Sequence, residues 1–481
     1  NTTAAHNLGI GRSALGANTT GASNVAVGNY NLDANTTGDY NTSVGRSALG
    51  GNTTADYNTA LGYNTMNANT TGAYNTALGA LALDANTDAD SNTAVGYAAL
   101  GSNTTAAQNT AVGTNALSAN TTGDLNTAVG YQALTTNTVG DRMVAVGKSA
   151  LALFNPASNT DAYNVAVGYN ALGSATTGTA NTAVGGLAMN ANTTGAGNTV
   201  LGYGALKTNT TASDNTAIGR DALNANTTGN RNIAIGRDSL LANTTGIYNT
   251  AIGYQSLKTN TTGDYNIAIG YQALEDATTA GSNIAIGYAA GNKITTGTGH
   301  TYIGWAAGTE TTTGTSNVAV GNESLQKTTT GSSNVAVGWQ ALEENTTADG
   351  NTAIGYQSMT ANTTGHSNTA LGKDSLKLNV DGDRNTALGY GALNVANSPS
   401  DNTMVGYFAG VALTTGSQNT AVGTYALDAN TTGSYNTSLG YLSLSGNTTG
   451  EQNTAIGREA LLTNTTGNYN VAVGQGALAL N

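Results

Sequence analysis

Asn215 to Arg231, NTAIGRDALNANTTGNR, sets the pattern of the whole chain. The unit returns at once as NIAIGRDSLLANTTGIY, Asn232 to Tyr248, and begins again at Asn249. The glycine after the branched apolar residue serves as a ruler. It stands at Gly11, Gly28, Gly45 and onward to Gly147 in steps of 17, and after one step of 21 it runs from Gly168 to Gly474 in steps of 17 again. That makes 28 repeats, each with glycine at the same phase. A period this strict specifies stacked units, each touching its neighbours, rather than a packed globule.

A chain of 481 residues would by length alone suggest about three globular domains. The repeat argues instead for one elongated object, a single rod over 1–481. Hydrophobic residues are 39% of the chain, yet Phe and Trp occur twice each and Gly 65 times, which is material for a thin, continuous core. Charged residues are only 9%, with a net charge of −12, so the basic footprint of a nucleic-acid binder is missing. Without cysteine there are no disulfides, thiolate metal sites or cysteine nucleophiles. No run of 18 apolar residues occurs, so no membrane span is expected in this segment. Neither an initiator methionine nor a signal peptide is present, so any export signal or anchor is expected outside the segment. Abundant Gly, Asn and Thr would also suit a disordered chain, but disorder does not need a branched residue held in one phase throughout.

Within each repeat the residue before the ruler glycine is always Val, Ile or Leu, and the strand motif reads N-[TVI]-A-[VIL]-G. Side chains alternate along a strand, so the branched pair faces one way and Asn and Ala the other. Four residues after the glycine comes Leu or Met in 25 repeats, predicting a second apolar strip on a second short strand or extended segment. NTTG or NTTA then closes the coil as a tight turn. Seventeen residues are too few for a helix, a strand and two turns, whereas a two-strand parallel coil fits. The branched residue and the leucine are expected to build the core. The predicted fold is all-β, a parallel β-solenoid of 28 coils with a 17-residue period.

Three repeats lose the leucine, at Gly291, Gly308 and Gly410, and there the asparagine three positions on becomes Ile294, Thr311 and Leu413. In two of them an apolar side chain has moved rather than vanished; the Thr311 coil does not follow. The one insertion, four residues near 152–163, carries Pro156 and predicts a bulged loop that leaves the stack intact. A second irregular turn around Pro399 keeps the period. Both termini lie in phase with the repeat and lack polar caps, which predicts an uncapped segment of a longer chain or assembly.

The strand motif, as in NVAVGYNA (Asn164 to Ala171) and NIAIGYAA (Asn283 to Ala290), resembles the head repeats of YadA-like trimeric autotransporter adhesins, and it is similar to repeats of bacteriophage tail-fibre-like proteins. The likeness covers essentially every repeat in the strand and is weaker in the NTTG turn. It implies a left-handed β-roll with three chains side by side, a homotrimer. Coils stacked at roughly 4.8 Å would make a rod on the order of 130 Å long.

Enzyme chemistry has little to work with. His6, His300 and His366 are far apart and read as solvated or turn histidines, so no catalytic, cofactor or metal site is expected. Asp39, Asp124, Asp141 and Asp264 recur beside the NTTG turn and read as turn chemistry, since the calcium-binding nonapeptide pattern is missing. Tyrosine is more informative: it follows the ruler glycine twelve times, and Trp305 and Trp339 take the same place. Eight more, among them Tyr40, Tyr74, Tyr248 and Tyr469, precede the first asparagine. Such rows stabilise parallel coils by stacking or form a sticky, sugar-binding surface. The surface-binding candidates are Tyr63, Tyr97, Tyr131, Tyr169, Tyr254, Tyr271, Trp305, Trp339 and Tyr356.

Asn and Thr of the turns are predicted to form ladders between coils. Seventeen NTT triplets also satisfy the N-glycosylation rule, most of them expected to stay unmodified. The function expected is that of a non-enzymatic, extracellular adhesin head or stalk at a cell surface or on a fibre, homotrimeric or homopolymeric, meeting a host or environmental surface such as glycans through many weak contacts. A structural filament polymerising end to end is the alternative, and an ice-binding solenoid the third.

Overall fold

In the computed structural model, which describes residues 3–480, the chain forms two compact units, Asn1–Thr245 and Gly246–Asn481. Both are all-β, and no helix forms among the described residues. In the first unit a three-residue strand opens each coil, from Leu8–Ile10 to Ile233–Ile235, and neighbours pair parallel and in register, as in Thr110↔Thr127 and Val112↔Val129. The second unit repeats this from Thr250–Ile252 to Val471–Val473. Each unit is therefore a parallel β-solenoid with a period of 17 residues.

Apart from a short parallel pair beside the insertion, Gly140–Asp141 with Thr160–Asp161, the remainder of each coil is not the second strand expected along the leucine strip but a run of tight turns. Gln132 and Leu134 sit in the left-handed region at φ 55° and 51°, and the residue before the first asparagine, such as Tyr57 at 59°, does so too. Left-handed non-glycine residues are costly. They are held here because the turns are bonded from coil to coil: Leu134 N donates to Ala150 O at 2.9 Å and Gln132 N to Thr114 O at 3.0 Å.

The ruler glycine turns the chain at the end of each strand. Gly219 has φ +133°, and a Cβ there would lie 2.6 Å from the carbonyl oxygen of Gly236 in the next coil. Backbone stacked on backbone this closely leaves no space for a side chain.

The interior is narrow. In one coil Asn126, Ala128, Ala133, Leu134 and Asn137 are all buried. The alternation along the strand is as expected, but its sense is reversed: Ala and Asn face inward, and the branched pair faces out. Thr127 and Val129 are half-buried, and Leu61 and Leu201 are 44% and 50% exposed. The leucine after the glycine is inside as expected, so the core is leucine, alanine and asparagine.

Buried asparagine is tolerated because adjacent coils that carry the motif supply one another's partners. Asn41 Oδ1 accepts from Asn58 N at 2.9 Å, and Asn41 Nδ2 donates to Ala55 O at 2.8 Å. A second ladder runs through the NTT turns, where Asn52 Nδ2 donates to Asn35 Oδ1 at 3.0 Å and Asn69 Nδ2 to Asn52 Oδ1 at 2.9 Å. The turn threonines form the expected third ladder, Thr36 Oγ1 to Thr53 O at 3.0 Å.

The insertion leaves the stack intact, with Val146 opposite Val167 across it. At this coil both ladder positions turn apolar together: Met143 and Phe154 are buried where asparagines usually stand, packed around Gly140. Ile294 and Leu413 are likewise buried, which accounts for two of the coils that lack leucine. The third is accounted for by Tyr302, which takes the inward alanine position, is fully buried and fills the space over Gly308.

Candidate functional site

The residues after the ruler glycine form an outer row, two positions beyond the second outward rank of the strand. In the second unit this row is a stack. Tyr254 and Tyr271 lie 5.3 Å apart between ring centroids, Tyr271 and Tyr288 5.0 Å, and Tyr288 and Trp305 6.0 Å. Trp339 and Tyr356 form a separate pair at 4.9 Å. The structure thus brings Tyr254, Tyr271 and Trp305 into one ladder through Tyr288.

In the first unit Tyr63, Tyr97, Tyr131 and Tyr169 stand about half exposed, and none stacks on another. Their coils alternate with coils carrying other residues, so no ring of this row lies directly above or below another. A second row, before the first asparagine, stacks Tyr40 on Tyr57 at 5.0 Å and Tyr57 on Tyr74 at 5.2 Å. Two lysines of the outer row were not singled out from the sequence, although their phase marks them. Lys148 lies between Tyr131 and Tyr169, and Lys373 between Tyr356 and Tyr390.

Beside the aromatic row run the two outward ranks of the strands. The first is Thr, Val or Ile after Leu8 in the opening strand; in the first unit it is threonine at Thr42, Thr59, Thr76, Thr93, Thr110 and Thr127 in succession. The second is wholly Val, Ile or Leu, with Leu371 and Leu439 both 46% exposed.

The polar candidates resolve into ladder members. Asp39 Oδ1 accepts from Ala22 N at 2.6 Å, Asp124 Oδ1 from Ala107 N at 2.7 Å and Asp264 Oδ1 from Ile247 N at 2.7 Å, each stitching a turn to the preceding coil. Asp141 does the same for Asp124 N at 2.7 Å. His366 acts likewise, its Nδ1 accepting from Asp349 N at 2.9 Å. His300 is not solvated, contrary to expectation. It occupies an asparagine position inside the coil, with Nε2 2.8 Å from Gly314 O and Nδ1 accepting from Asn317 N at 3.2 Å. Those two bonds place the proton on Nε2, and burial drives its pKa down to about 4, so the ring is neutral at pH 7.

Among the described residues the NTT asparagines, including Asn35, Asn52, Asn103 and Asn226, are buried, so folding closes these glycosylation triplets. No group of three or more His, Cys, Asp or Glu is placed to hold a metal ion among the described residues. No helix among them is long and apolar enough to cross a membrane. No protein-family model and no curated protein matches the chain.

Proposed function

We propose that this chain is a non-enzymatic, extracellular adhesive segment, a head or stalk of the kind its strand motif resembles, that attaches to surfaces through its repeated outer face. The carrying observation is that the core closes within a single chain while Val, Ile or Leu recurs on the outside of each strand. Nothing inside requires those residues. Exposed apolar patches of this extent mark interaction surfaces.

On this proposal the outward ranks are covered by two further copies in a homotrimer, since a strip repeating at the coil spacing is matched along its length by another solenoid of the same spacing. The aromatic row stays free to meet glycans or another surface, and avidity across many coils replaces a single strong site.

Crosslinking and light scattering test the assembly: a trimer is expected, Leu61→Lys with Leu78→Lys should dissociate it, and a monodisperse wild-type monomer would sink it. Adhesion to immobilised glycans should fall when Tyr254, Tyr271 and Tyr288 are changed together to serine. Undiminished adhesion would favour a purely structural filament.

The succession of outward threonines from Thr42 to Thr127 in the first unit favours one second reading, ice binding on a flat sheet face. Its neighbour rank is Val, Ile or Leu rather than a second threonine row, so the array is half of a threonine-x-threonine surface. Ice shaping by the purified chain, lost on Thr76→Lys with Thr93→Lys, tests it.

A further inference from the structure

In the first unit the outer row alternates in a way the core does not require. From Gly62 onward the residues after the ruler glycine read Tyr63, Ala80, Tyr97, Thr114, Tyr131, Lys148, Tyr169, Gly186 and Tyr203. A ring recurs every second coil, and the coil between carries a small residue or the lysine. Adjacent coils put rings 5.0 Å apart where they stack in the second unit. Alternate coils therefore hold ring faces roughly 10 Å apart, two strand spacings.

One of these gaps is filled, and it shows what fits. Lys148 Nζ lies 5.9 Å from the centroid of Tyr131 and 5.8 Å from that of Tyr169. In the second unit Lys373 Nζ does the same between Tyr356 and Tyr390, at 5.3 and 5.6 Å. Both ammonium groups sit within the ~6 Å reach of two ring quadrupoles at once.

The gaps at Ala80, Thr114 and Gly186 have no side chain long enough to enter them. A methyl group at Gly186 would meet only the ring of Tyr203, at 3.4 and 3.7 Å. The flanking rings are open, Tyr63 being 51%, Tyr97 54% and Tyr203 58% exposed. Comparable positions in the second unit are occupied. The Asn322 side-chain amide lies 3.0 Å from Trp339 Nε1, a contact that its oxygen accepts once the amide is turned to face it, and Tyr425 packs edge-on against Tyr407 at 5.5 Å, beside Thr424.

We infer that the gaps at Ala80, Thr114 and Gly186 bind alkylammonium groups, each held between two tyrosine faces as Lys148 holds its own ammonium. A ring pair about 10 Å apart puts a methylated ammonium about 5 Å from both centroids, where its weakly hydrated charge meets two negative ring faces. The net charge of −12 raises the local concentration of cations and opposes anions. The inference uses the same row as the adhesive proposal, yet a free small cation reports on the gaps without any surface. A wild-type chain that binds the cation but does not adhere would sink the adhesive proposal alone, and one that adheres but binds no cation would sink this one alone.

The test is a fluorine NMR titration of the full chain labelled with 3-fluorotyrosine. Tetramethylammonium chloride is compared with sodium chloride at equal ionic strength and with neopentyl alcohol, an uncharged molecule of similar shape. Saturable shifts on the order of millimolar are expected, assigned to Tyr63, Tyr97, Tyr131, Tyr169 and Tyr203 by Tyr→Phe variants, with an at least ten-fold weaker response to the alcohol. Lys148→Ala should open one further site. Ala80→Lys with Thr114→Lys should close two, and as outer-row residues of a kind the row already carries they leave the circular dichroism spectrum unchanged. A response no different from sodium, an equal response to the alcohol, or an unchanged number of sites in Lys148→Ala overturns the inference.

Discussion

The Tyr302 hydroxyl lies 3.0 Å from Thr311 Oγ1 inside a coil that has no leucine. Three positions have changed together there: alanine to Tyr302, leucine to Gly308 and asparagine to Thr311. The ring fills the space the leucine leaves, and its hydroxyl, buried beyond the reach of water, needs the partner that threonine supplies. Met404, Gly410 and Leu413 make the same exchange without a polar atom, Met404 Sδ lying where a side chain at Gly410 would begin.

The Tyr302–Gly308 pair should therefore show strong coupling. A Cβ at Gly308 would lie 2.4 Å from Tyr302 Cε2, so Gly308→Ala should cost about 2–3 kcal/mol of stability through overpacking. Tyr302→Ala should cost about 3–5 kcal/mol by leaving a cavity. Gly308→Leu alone should cost more than Gly308→Ala, yet combined with Tyr302→Ala it refills the space and should recover most of the loss, a coupling between Tyr302→Ala and Gly308→Leu of about 2 kcal/mol or more by urea unfolding. Additive costs would show that the two residues do not share one space.

His300 gives the stack a pH dependence of known sign. Its folded pKa, about 4, lies below the ordinary value of about 6.5, because burial penalises the charged ring. The unfolded chain therefore takes up a proton first as the pH falls. Stability from this residue is complete above about pH 6.5, declines between 6.5 and 4, and levels below that, a loss of roughly 3 kcal/mol. His300→Asn restores the ladder asparagine and should remove that component, so the difference between the two denaturation profiles isolates it from the carboxylates. Parallel profiles from pH 7 to 4 would contradict the buried placement.

The period, the parallel stack, the glycine corners and the inward leucine were legible from residues such as Gly219 and Leu134. What was not legible was which side of the strand faces in. Hydrophobicity argued for Val129 inside and Asn126 outside, and alternation alone has no sign. Coil width decides it: the space opposite Leu134 suits a residue of the size of Ala128, and Asn126 is satisfied inside because the next coil offers it the Gly140 carbonyl and the Met143 N–H. The left-handed Leu134 was hidden for a related reason, since its backbone is held by bonds from coil to coil rather than by local preference. The outer aromatic row was legible by phase, whereas its division into stacked and open stretches depends on what each intervening coil carries.

Stacking also makes the glycines unequal. At Gly219 a side chain would meet the Gly236 carbonyl at 2.6 Å, whereas at Gly350, also left-handed at φ +68°, the nearest atom is Ser367 Oγ at 3.8 Å. Gly350→Ala should therefore cost only backbone strain, about 1–2 kcal/mol. Gly219→Ala adds a backbone clash that no rotamer relieves, and should raise hydrogen exchange in its own and adjacent coils well beyond that. Equal effects at the two sites would mean that strain, not stacking, selects glycine.

The turn asparagines are unequal in the same way. Asn69 is bonded on both sides: its Nδ2 donates to Asn52 Oδ1 and to Gly72 O, both at 2.9 Å, and its Oδ1 accepts from Asn86 Nδ2 at 2.8 Å. Asn379 makes the donor bonds to Asn362 Oδ1 and Gly382 O at 2.7 and 3.0 Å, but its Oδ1 is buried without a partner, because the next coil carries Ala396 at the ladder position. Removing a fully bonded member leaves partners orphaned on both sides, whereas removing the terminal one also removes an existing orphan. Asn69→Ala should cost about 3 kcal/mol and Asn379→Ala at least about 1 kcal/mol less, read from urea midpoints at constant slope. If the terminal asparagine proves as costly as the internal one, the ladder's strength lies in its donor bonds alone.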